Sequence, residues 1–404
     1  MDSITQGLLG AVTAQLGFRQ KIGRDATWVA AGAAIVPDLD ILVTPFLALT
    51  GAEVDSTTSL MIHRGLSHSL LMMPVLSLPI ATIWWWFRGR NHRRSRRDAA
   101  MAPVGAERPP RFALLYACVF VAVLTHPLLD WCTSYGTQLL APFSHTRYAV
   151  DAIAIVDLIY SPLLILTLLA CYLVRKIWRS RAMRASLAIG WIGFALSCGY
   201  LVAGRVMHDY VVERAREAVN GEQVVQADAY PALGTIFLWR AVVETPEEWI
   251  TMRIHCFDRR PADQWCRQHA EKVENEWVNK ARSLPVARTY LWFNGHRTRS
   301  QYIRQNGHHE VLLHDMRYGQ PLESVESIWP LTVIFNPRGE VIHTGPHRQP
   351  RGESFGAMAS RAWRDMLTVA PPSGPCIQGR VEGAHNGAET QPAGAESIGE
   401  PQFP

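Results

Sequence analysis

Histidines and aspartates recur at the ends of strongly apolar segments in the first half of the chain. Three short motifs hold them: Pro37-Asp38-Leu39-Asp40, His63-Arg64-Gly65-Leu66-Ser67-His68-Ser69 and Thr125-His126-Pro127-Leu128-Leu129-Asp130. Burying a charged side chain is costly unless it is paired or bound to a metal ion. The pattern therefore predicts a metal site at the surface of a membrane, where these apolar segments end.

The first motif places two carboxylates two residues apart, directly after a proline. One of them could simply cap a helix that starts after the proline. A cap uses one acid, however, and both Asp38 and Asp40 are flanked by apolar residues. Carboxylates at this spacing can bind one cation or bridge two. We therefore predict that both are metal ligands.

The second motif holds two histidines around an arginine and a flexible glycine. Neutral imidazole binds zinc and similar ions well, so His63 and His68 are interpreted as ligands. A guanidinium can hold a phosphate or a carboxylate by two parallel hydrogen bonds, which makes Arg64 a candidate catalytic residue. The alternative for either histidine is an interfacial or hydrogen-bonded side chain without a metal.

The third motif puts His126 and Asp130 four residues apart, on one face of a predicted helix. Both are predicted metal ligands, and Asp130 is also a candidate catalytic residue. Two alternatives stay open: a polar pair that locks two helices together, or a carboxylate that orients a ligating histidine.

A loop from Tyr135 to Tyr148 follows and contributes Arg147, a second cation. Two arginines beside a metal make an anionic group the natural ligand. Arg147 is therefore a third candidate catalytic residue, and the predicted cofactor is a divalent metal ion, zinc by its donor types.

Six apolar stretches could position these residues: 3–17, 26–48, 69–87, 112–130, 152–174 and 185–204. The last four approach the roughly 20 residues that span a bilayer. The first is short and the second carries two aspartates, so this pair is expected to be shallow or re-entrant. Residues 1–205 are thus predicted to form a mainly α, multi-pass transmembrane bundle of five or six segments.

Basic residues between these stretches predict the topology. They cluster in three loops, at 19–24, 88–97 and 175–184, and account for the net charge of +5. The positive-inside rule makes these loops cytoplasmic. All three motifs and the chain after about residue 205 then lie on the opposite, outer face of the membrane. The charge forms no continuous basic face, so nucleic acid is not an expected partner.

The composition changes after residue 204. Residues 206–365 are predicted to form a small β-rich α+β domain in the periplasm, with strands near 235–243, 249–257, 290–293, 310–315 and 331–335 and a helical insert at 261–283. Residues 366–404, rich in Gly, Pro, Ala and Glu, are predicted to be disordered.

Two features of this domain are ambiguous. Cys256 and Cys266 could form a disulfide if the domain is extracytoplasmic. A group of polar residues is interpreted as solvated strand and loop: His308, His309, His314, Asp315 and Arg317. No Walker loop, GxSxG or HExxH motif occurs in the chain.

The motifs resemble the YdjM-like family of bacterial inner-membrane proteins, described as metal-dependent hydrolases, whose namesake is linked to the LexA regulon. The resemblance covers about residues 1–205 and rests on the three motifs together with Met1-Asp2-Ser3-Ile4-Thr5-Gln6, Thr133-Ser134-Tyr135-Gly136, Pro142-Phe143 and Arg147-Tyr148. Many relatives have histidine where Gln6 stands, so one possible ligand is absent here. Leu238-Trp239-Arg240 and Asp315-Met316-Arg317-Tyr318-Gly319 resemble the C-terminal part of longer members.

These observations predict a membrane-embedded, metal-dependent hydrolase. Its substrate would be anionic, such as a phosphodiester or a membrane phospholipid, because two arginines accompany the metal ligands. The first alternative is a metal- or lipid-binding scaffold without catalysis. The second is a transporter, which would need Asp38 and Asp130 to lie on an ion path across the bilayer.

Overall fold

Helices dominate the first half of the protein, and two small sheets form the second half. The computed structural model describes residues 1–51, 57–98, 111–178, 182–219, 223–295, 297–346, 360, 363–364, 367–369, 380–381 and 384–386. Within these ranges, the helices before the first strand are α1 (Ser3–Gln15), α2 (Phe18–Ile22), α3 (Asp25–Ile35), α4 (Val43–Leu49), α5 (Thr58–Ile62), α6 (Met72–Asp98), α7 (Phe112–Trp131), α8 (Tyr160–Ile177) and α9 (Ala182–Ala218). Two 3₁₀ segments, Val36–Leu42 and Leu66–His68, interrupt the helical pattern at the predicted motifs.

The described helices confirm a multi-pass membrane fold. Four stretches are long and apolar enough to cross a bilayer: Asp25–Leu49, Phe112–Trp131, Tyr160–Ile177 and Ala182–Ala218. The pair Thr58–His68 and Met72–Arg90, bent by 74°, could provide a fifth span. The first predicted stretch is not among them, because α1 has 13 residues and is only about 20 Å long.

The short helix α1 nevertheless lies inside the bundle. It packs against α3, α7, α8 and α9, and most of its residues are buried. Gly10 allows α3 to come close, because a Cβ at this position would lie only 2.6 Å from the carbonyl oxygen of Ala30. The N-terminal end of α1 therefore reaches the same end of the bundle as the three motifs.

The basic loops meet at the opposite end of the bundle. Arg88 pairs with Asp25 at the start of α3, and Arg175 donates a 2.9 Å hydrogen bond to Gln15 at the end of α1. We call the other end, which holds Asp38, His68, His126 and Asp130, the histidine end. The structure thus separates the motifs from the basic loops, as the topology prediction requires; Arg179 and Arg181 lie outside the described residues.

The second half forms two five-stranded sheets, ordered β1-β2-β3-β4-β9 and β10-β5-β6-β7-β8. Their strands are β1 (Gln226–Pro231), β2 (Leu238–Glu244), β3 (Glu248–His255), β4 (Arg267–Glu271), β5 (Thr298–Gln305), β6 (His308–Asp315), β7 (Leu331–Phe335), β8 (Val341–Pro346), β9 (Arg380–Val381) and β10 (Ala384–Asn386). Helices α10 (Glu276–Ser283) and α11 (Pro285–Asn294) connect the sheets. A small α+β domain after the bundle is therefore confirmed.

Three local predictions in this domain are wrong. Tyr290–Phe293 lies in α11, which starts at Pro285, a residue that favours the first helical turn. The insert at 261–283 is α-helical only from Glu276, because Arg267–Glu271 pairs with β3 as β4; Ala262–Gln264 forms a short 3₁₀ segment. Cys266 is disulfide-bonded whereas Cys256 is a free thiol, so these two cysteines do not pair. Apart from β9, β10 and a few residues between 367 and 386, the predicted disordered tail lies outside the described residues.

The two halves are joined closely at the histidine end. The backbone of Gly234 pairs with the segment before α8 through hydrogen bonds of 2.9 Å from its N–H to Val156 and 3.0 Å from Leu158 to its carbonyl. Gly204 on α9 leaves room for that segment, since a Cβ there would lie 2.0 Å from the carbonyl oxygen of Ala152. The small domain is thereby fixed against the end of the bundle that carries the motifs.

Candidate metal centre

Four side chains at the histidine end place donor atoms within 4.8 Å of one another: Asp38, His68, His126 and Asp130. Asp38 and His68 come from the two 3₁₀ segments, whereas His126 and Asp130 come from the last turns of α7. The side chain of Asp38 is 15% exposed, and the other three are fully buried. The group is therefore accessible from one side only.

The distances between the donor atoms fit a single cation. His68 Nε2 and His126 Nε2 lie 3.0 Å apart. Each nitrogen is also 3.3–3.6 Å from Asp38 Oδ1 and 3.4–3.5 Å from Asp130 Oδ2. Four donors placed tetrahedrally at ~2.0–2.1 Å from zinc would be roughly 3.3–3.4 Å apart. The residues present thus fit a metal of this size.

The hydrogen bonds behind the two imidazoles point to the same conclusion. His126 Nδ1 lies 2.5 Å from the carbonyl oxygen of Ala34, which can only accept, so this nitrogen donates. His68 Nδ1 donates towards Ser67 Oγ at 2.9 Å, because that hydroxyl gives its own proton to Asp40. Both Nε2 atoms then present lone pairs to each other at 3.0 Å. A proton or a cation between them is needed to relieve this repulsion.

Asp40 lies behind the four-donor group rather than within it. Its Oδ2 accepts hydrogen bonds from Ser67 Oγ at 2.6 Å and from the Arg64 backbone N–H at 3.1 Å, and lies 3.2 Å from His68 Nδ1. Its Oδ1 is 2.8 Å from His63 Nδ1. Asp40 thus orients His68 as carboxylates behind ligating histidines do. The metal roles predicted for Asp40 and His63 stay predictions.

Asp130 is surrounded by donors, yet one of its oxygens lacks a hydrogen bond. Its Oδ1 accepts from the Met1 amine and, at 3.0 Å, from Gln6 Nε2. Its Oδ2 lies 3.1 Å from Arg64 Nε in an ion pair, but it has no hydrogen-bond partner among the described residues. This buried oxygen is the one that faces both Nε2 atoms. Gln6 therefore borders the centre.

Arg64 is held in an unusual backbone conformation beside Asp130. Its φ is +57°, a value that costs a non-glycine residue about 1–3 kcal/mol unless its surroundings enforce it. The enforcing contacts are a 2.7 Å hydrogen bond from Nη1 to Thr133 Oγ1 and a 3.0 Å bond from the Gln138 N–H to its carbonyl. The guanidinium is thereby fixed between Asp130 and the ring of Tyr135.

Arg147 also lies over the ring of Tyr135, 5.0 Å from its centre. Its guanidinium donates to backbone carbonyls, of Gly136 at 2.8 Å and Leu60 at 3.2 Å, and its buried Nε has no partner among the described residues. No ion pair with a carboxylate is formed within that part of the chain. Burial lowers the pKa of Arg147 to about 10. Arg147 is a fixed cation that lacks an anion.

The small domain contributes to this region through Arg317. Its guanidinium pairs with Asp315 at 2.7 Å, donates to the Ser134 carbonyl at 3.0 Å and lies 4.5 Å from the ring centre of Phe293. The same ring is 4.9 Å from Arg147. Asp315 and Arg317 are buried, so their prediction as solvated residues is wrong. Local sequence gave no sign that a loop of the other domain would cover them.

A polar cavity of about 480 Å³ lies beside Arg147, at the junction of the two domains. The loop after α7 contributes His145 and Arg147, and the small domain contributes Trp292, Asn294 and Arg297. None of the lining residues is acidic. The cavity therefore suits an anionic group.

Comparison with protein families agrees with this geometry. A family model described as YdjM inner membrane protein matches residues 1–209, more than half of the 404 residues. The matched part includes all four donor residues and both arginines that flank Tyr135. No curated protein matches the chain, and no solved structure does. The chain belongs to the YdjM inner membrane protein family.

Proposed function

We propose that the protein is a membrane-embedded, metal-dependent hydrolase that acts on an anionic substrate at the outer face of the inner membrane. The observation that carries this proposal is the convergence of four donor atoms around two imidazole nitrogens whose lone pairs face each other. Such an arrangement is unfavourable unless a proton or a cation lies between the two nitrogens, and it is built from the residue types that metals use.

Asp38, His68, His126 and Asp130 would hold the ion, and two nitrogens with two carboxylate oxygens favour zinc. A zinc ion in such a site supplies Lewis acidity, which lowers the pKa of water from 15.7 to about 7 and provides hydroxide at neutral pH. Asp38 is the most exposed of the four. It therefore marks the side from which substrate and water approach.

Arg147 supports an anionic substrate. It is held by two carbonyls in a fixed position, its Nε is free to donate, and it borders a cavity without acidic residues. Arg64 connects this region to the metal centre, because it contacts Asp130 on one side and Tyr135 on the other. A phosphodiester or a phospholipid headgroup fits this charge and the position at the end of the spans.

The location follows from two observations. The basic loops gather at the end opposite the centre, and the positive-inside rule assigns that end to the cytoplasm. Cys266 in the small domain is disulfide-bonded, which is typical of oxidising compartments such as the periplasm. Both favour a periplasmic active site.

Elemental analysis of detergent-purified protein tests the metal. We expect about one zinc or similar ion per chain in the wild type and none in His68→Ala, with membrane insertion unchanged. His145→Ala is the matched control, because His145 borders the neighbouring cavity but not the donor group. Wild-type protein without stoichiometric metal, even after incubation with zinc, would refute the proposal.

Lipid mass spectrometry of cells tests the chemistry. Overproduced wild type should convert a phospholipid or another phosphodiester, whereas His68→Ala and Arg147→Gln should not. A second candidate function, a scaffold with a structural metal, is favoured by the number of donors: if all four bound a zinc ion, no coordination position would stay open, whereas catalytic zinc sites usually keep one open. That candidate predicts bound metal, unfolding upon chelation and no lipid turnover.

A further inference from the structure

A second cavity, of about 300 Å³, lies between the small domain and residues 153–156 of the membrane domain. Leu238 and Arg240 line it from one of the small-domain motifs, and Arg317, Tyr318 and Gly319 line it from the other. The two motifs therefore meet at one place. None of the four candidate metal ligands lines this cavity.

The walls of this cavity are largely apolar, yet four polar atoms of its lining residues lack a partner among the described residues, and one of them is Ser134 Oγ. Arg240 is 1% exposed; its Nε and Nη1 donate to the carbonyls of Met316 and Leu322 at 2.8 and 2.5 Å, but its Nη2 has no partner. The hydroxyls of Tyr230 and Tyr318 are also without a partner among the described residues. A buried polar group left in this state costs about 1–3 kcal/mol, and more if it is charged.

Arg240 is an isolated cation as well as an unsatisfied donor. Among the described residues, no carboxylate lies within ion-pair distance of its guanidinium, and burial lowers its pKa to about 10. Gly319 leaves room for this guanidinium, because a Cβ at residue 319 would lie only 2.4 Å from Arg240 Nη1. A ligand that accepts hydrogen bonds and carries negative charge would therefore complement Arg240 and the hydroxyl groups of the residues that line this cavity.

The mouth of the cavity is apolar and faces the start of a membrane span. Four lining residues are large, apolar and substantially exposed: Val156, Leu233, Ile328 and Trp329. Val156 belongs to the segment that pairs with Gly234 directly before the span Tyr160–Ile177. This rim therefore lies where the bilayer surface begins, and a ligand can enter from the membrane.

We infer that this cavity binds a single-chain amphiphile with a carboxylate head, of the fatty-acid class. The carboxylate would accept from Arg240 Nη2 and the two tyrosine hydroxyls, and it has lone pairs enough for all three. The chain would lie among the apolar walls towards the rim. A volume of 300 Å³ is at the lower end of small-molecule sites, which fits a chain of medium length.

Equilibrium dialysis of radiolabelled decanoate against full-length protein in lipid nanodiscs tests this inference, with empty nanodiscs as background. We expect saturable binding of about one decanoate per chain. Decanol and decyltrimethylammonium should bind at least about tenfold more weakly, because they lack the charge that Arg240 requires. Decyl phosphate that binds more tightly than decanoate would overturn the carboxylate assignment.

Two variants locate the site. Arg240→Met should reduce decanoate affinity at least about tenfold. Tyr318→Phe should reduce it several-fold while keeping the ring that packs 4.7 Å from Trp329, so this variant stays informative if Arg240→Met does not fold. Tyr172→Phe on α8, which is exposed and far along the chain from the cavity, is the control. Unchanged binding in Tyr318→Phe, or loss of binding in His68→Ala, would place the ligand elsewhere.

Discussion

The metal centre and the Arg240 cavity bury charge in opposite ways. In the centre, the carboxylates of Asp38, Asp40 and Asp130 outnumber the single arginine beside them, and an oxygen of Asp130 is left without a hydrogen bond. In the cavity, the guanidinium of Arg240 is held by carbonyls alone. A ligand of opposite charge would be favourable in each arrangement: a cation in the first case and an anion in the second.

Arg317 shows that this difference is not a general feature of buried charge in the protein. Like Arg240, it is buried and lies beside the same cavity. Its guanidinium, however, is already paired with the carboxylate of Asp315 through two hydrogen bonds. Its pKa is raised by that carboxylate, whereas the pKa of Arg240 is lowered by burial. Arg317 thus joins the two domains, whereas Arg240 has no carboxylate partner among the described residues.

The comparison between the metal centre and the Arg240 cavity is tested most strongly at Asp130, where we expect the largest effect of a substitution. Asp130→Asn removes a metal donor and leaves the buried Arg64 without its ion pair, which typically costs about 3–5 kcal/mol. We expect metal content to fall to background and the midpoint of thermal unfolding to drop. Inductively coupled plasma mass spectrometry and a thermal melt measure the two effects. Asp209→Asn is the control, because Asp209 pairs with Arg205 on an exposed face of α9.

A nearly equal effect, without loss of metal, is expected at Arg317. Arg317→Met leaves Asp315 buried and unpaired, so about 3–5 kcal/mol of stability should be lost. Protease should then cleave the small domain from the membrane domain faster, because the bond to the Ser134 carbonyl is gone. If the metal content of Arg317→Met falls as far as that of Asp130→Asn, the contacts of Arg317 and the metal centre do not act independently.

The sequence predicted the residues of the four-donor group, whose metal binding stays a prediction, better than the two cavities, for physical reasons. His126 and Asp130 share a helix face at fixed spacing, so their proximity follows from helix geometry alone. Asp38, but not Asp40, belongs to the four-donor group because of the geometry of a 3₁₀ segment. The spacing of residues in the sequence does not predict that geometry. Arg240 contacts Met316 and Leu322, which are distant in the sequence, and Arg317 contacts a loop of the other domain; local patterns carry no information about such contacts. The small domain's helix α11 was missed because a short aromatic run is compatible with either helix or strand.

A smaller effect is expected at Asp40, which would sharpen the distinction between ligand and support. Asp40→Asn keeps the size of the side chain but removes the charge behind His68, and losses of this kind usually weaken metal affinity about 10–100-fold. Competition with a fluorescent chelator measures this change. Affinity as low as in His68→Ala would instead make Asp40 a ligand, as the sequence predicted.

The smallest effect is expected at Arg147, and it separates anion binding from metal binding. Arg147→Gln should leave the metal affinity unchanged and weaken the binding of a soluble phosphodiester headgroup, glycerophosphoglycerol, by about tenfold, because a charge-assisted hydrogen bond is lost. Arg147→Lys should restore part of this affinity, since it returns the charge without the planar fork.

In the wild type, binding should also decline as the pH rises through about 10, where the depressed pKa lets Arg147 lose its proton. Binding that persists unchanged well above this pH would show that another cation, such as Arg297 in the same cavity, holds the anion.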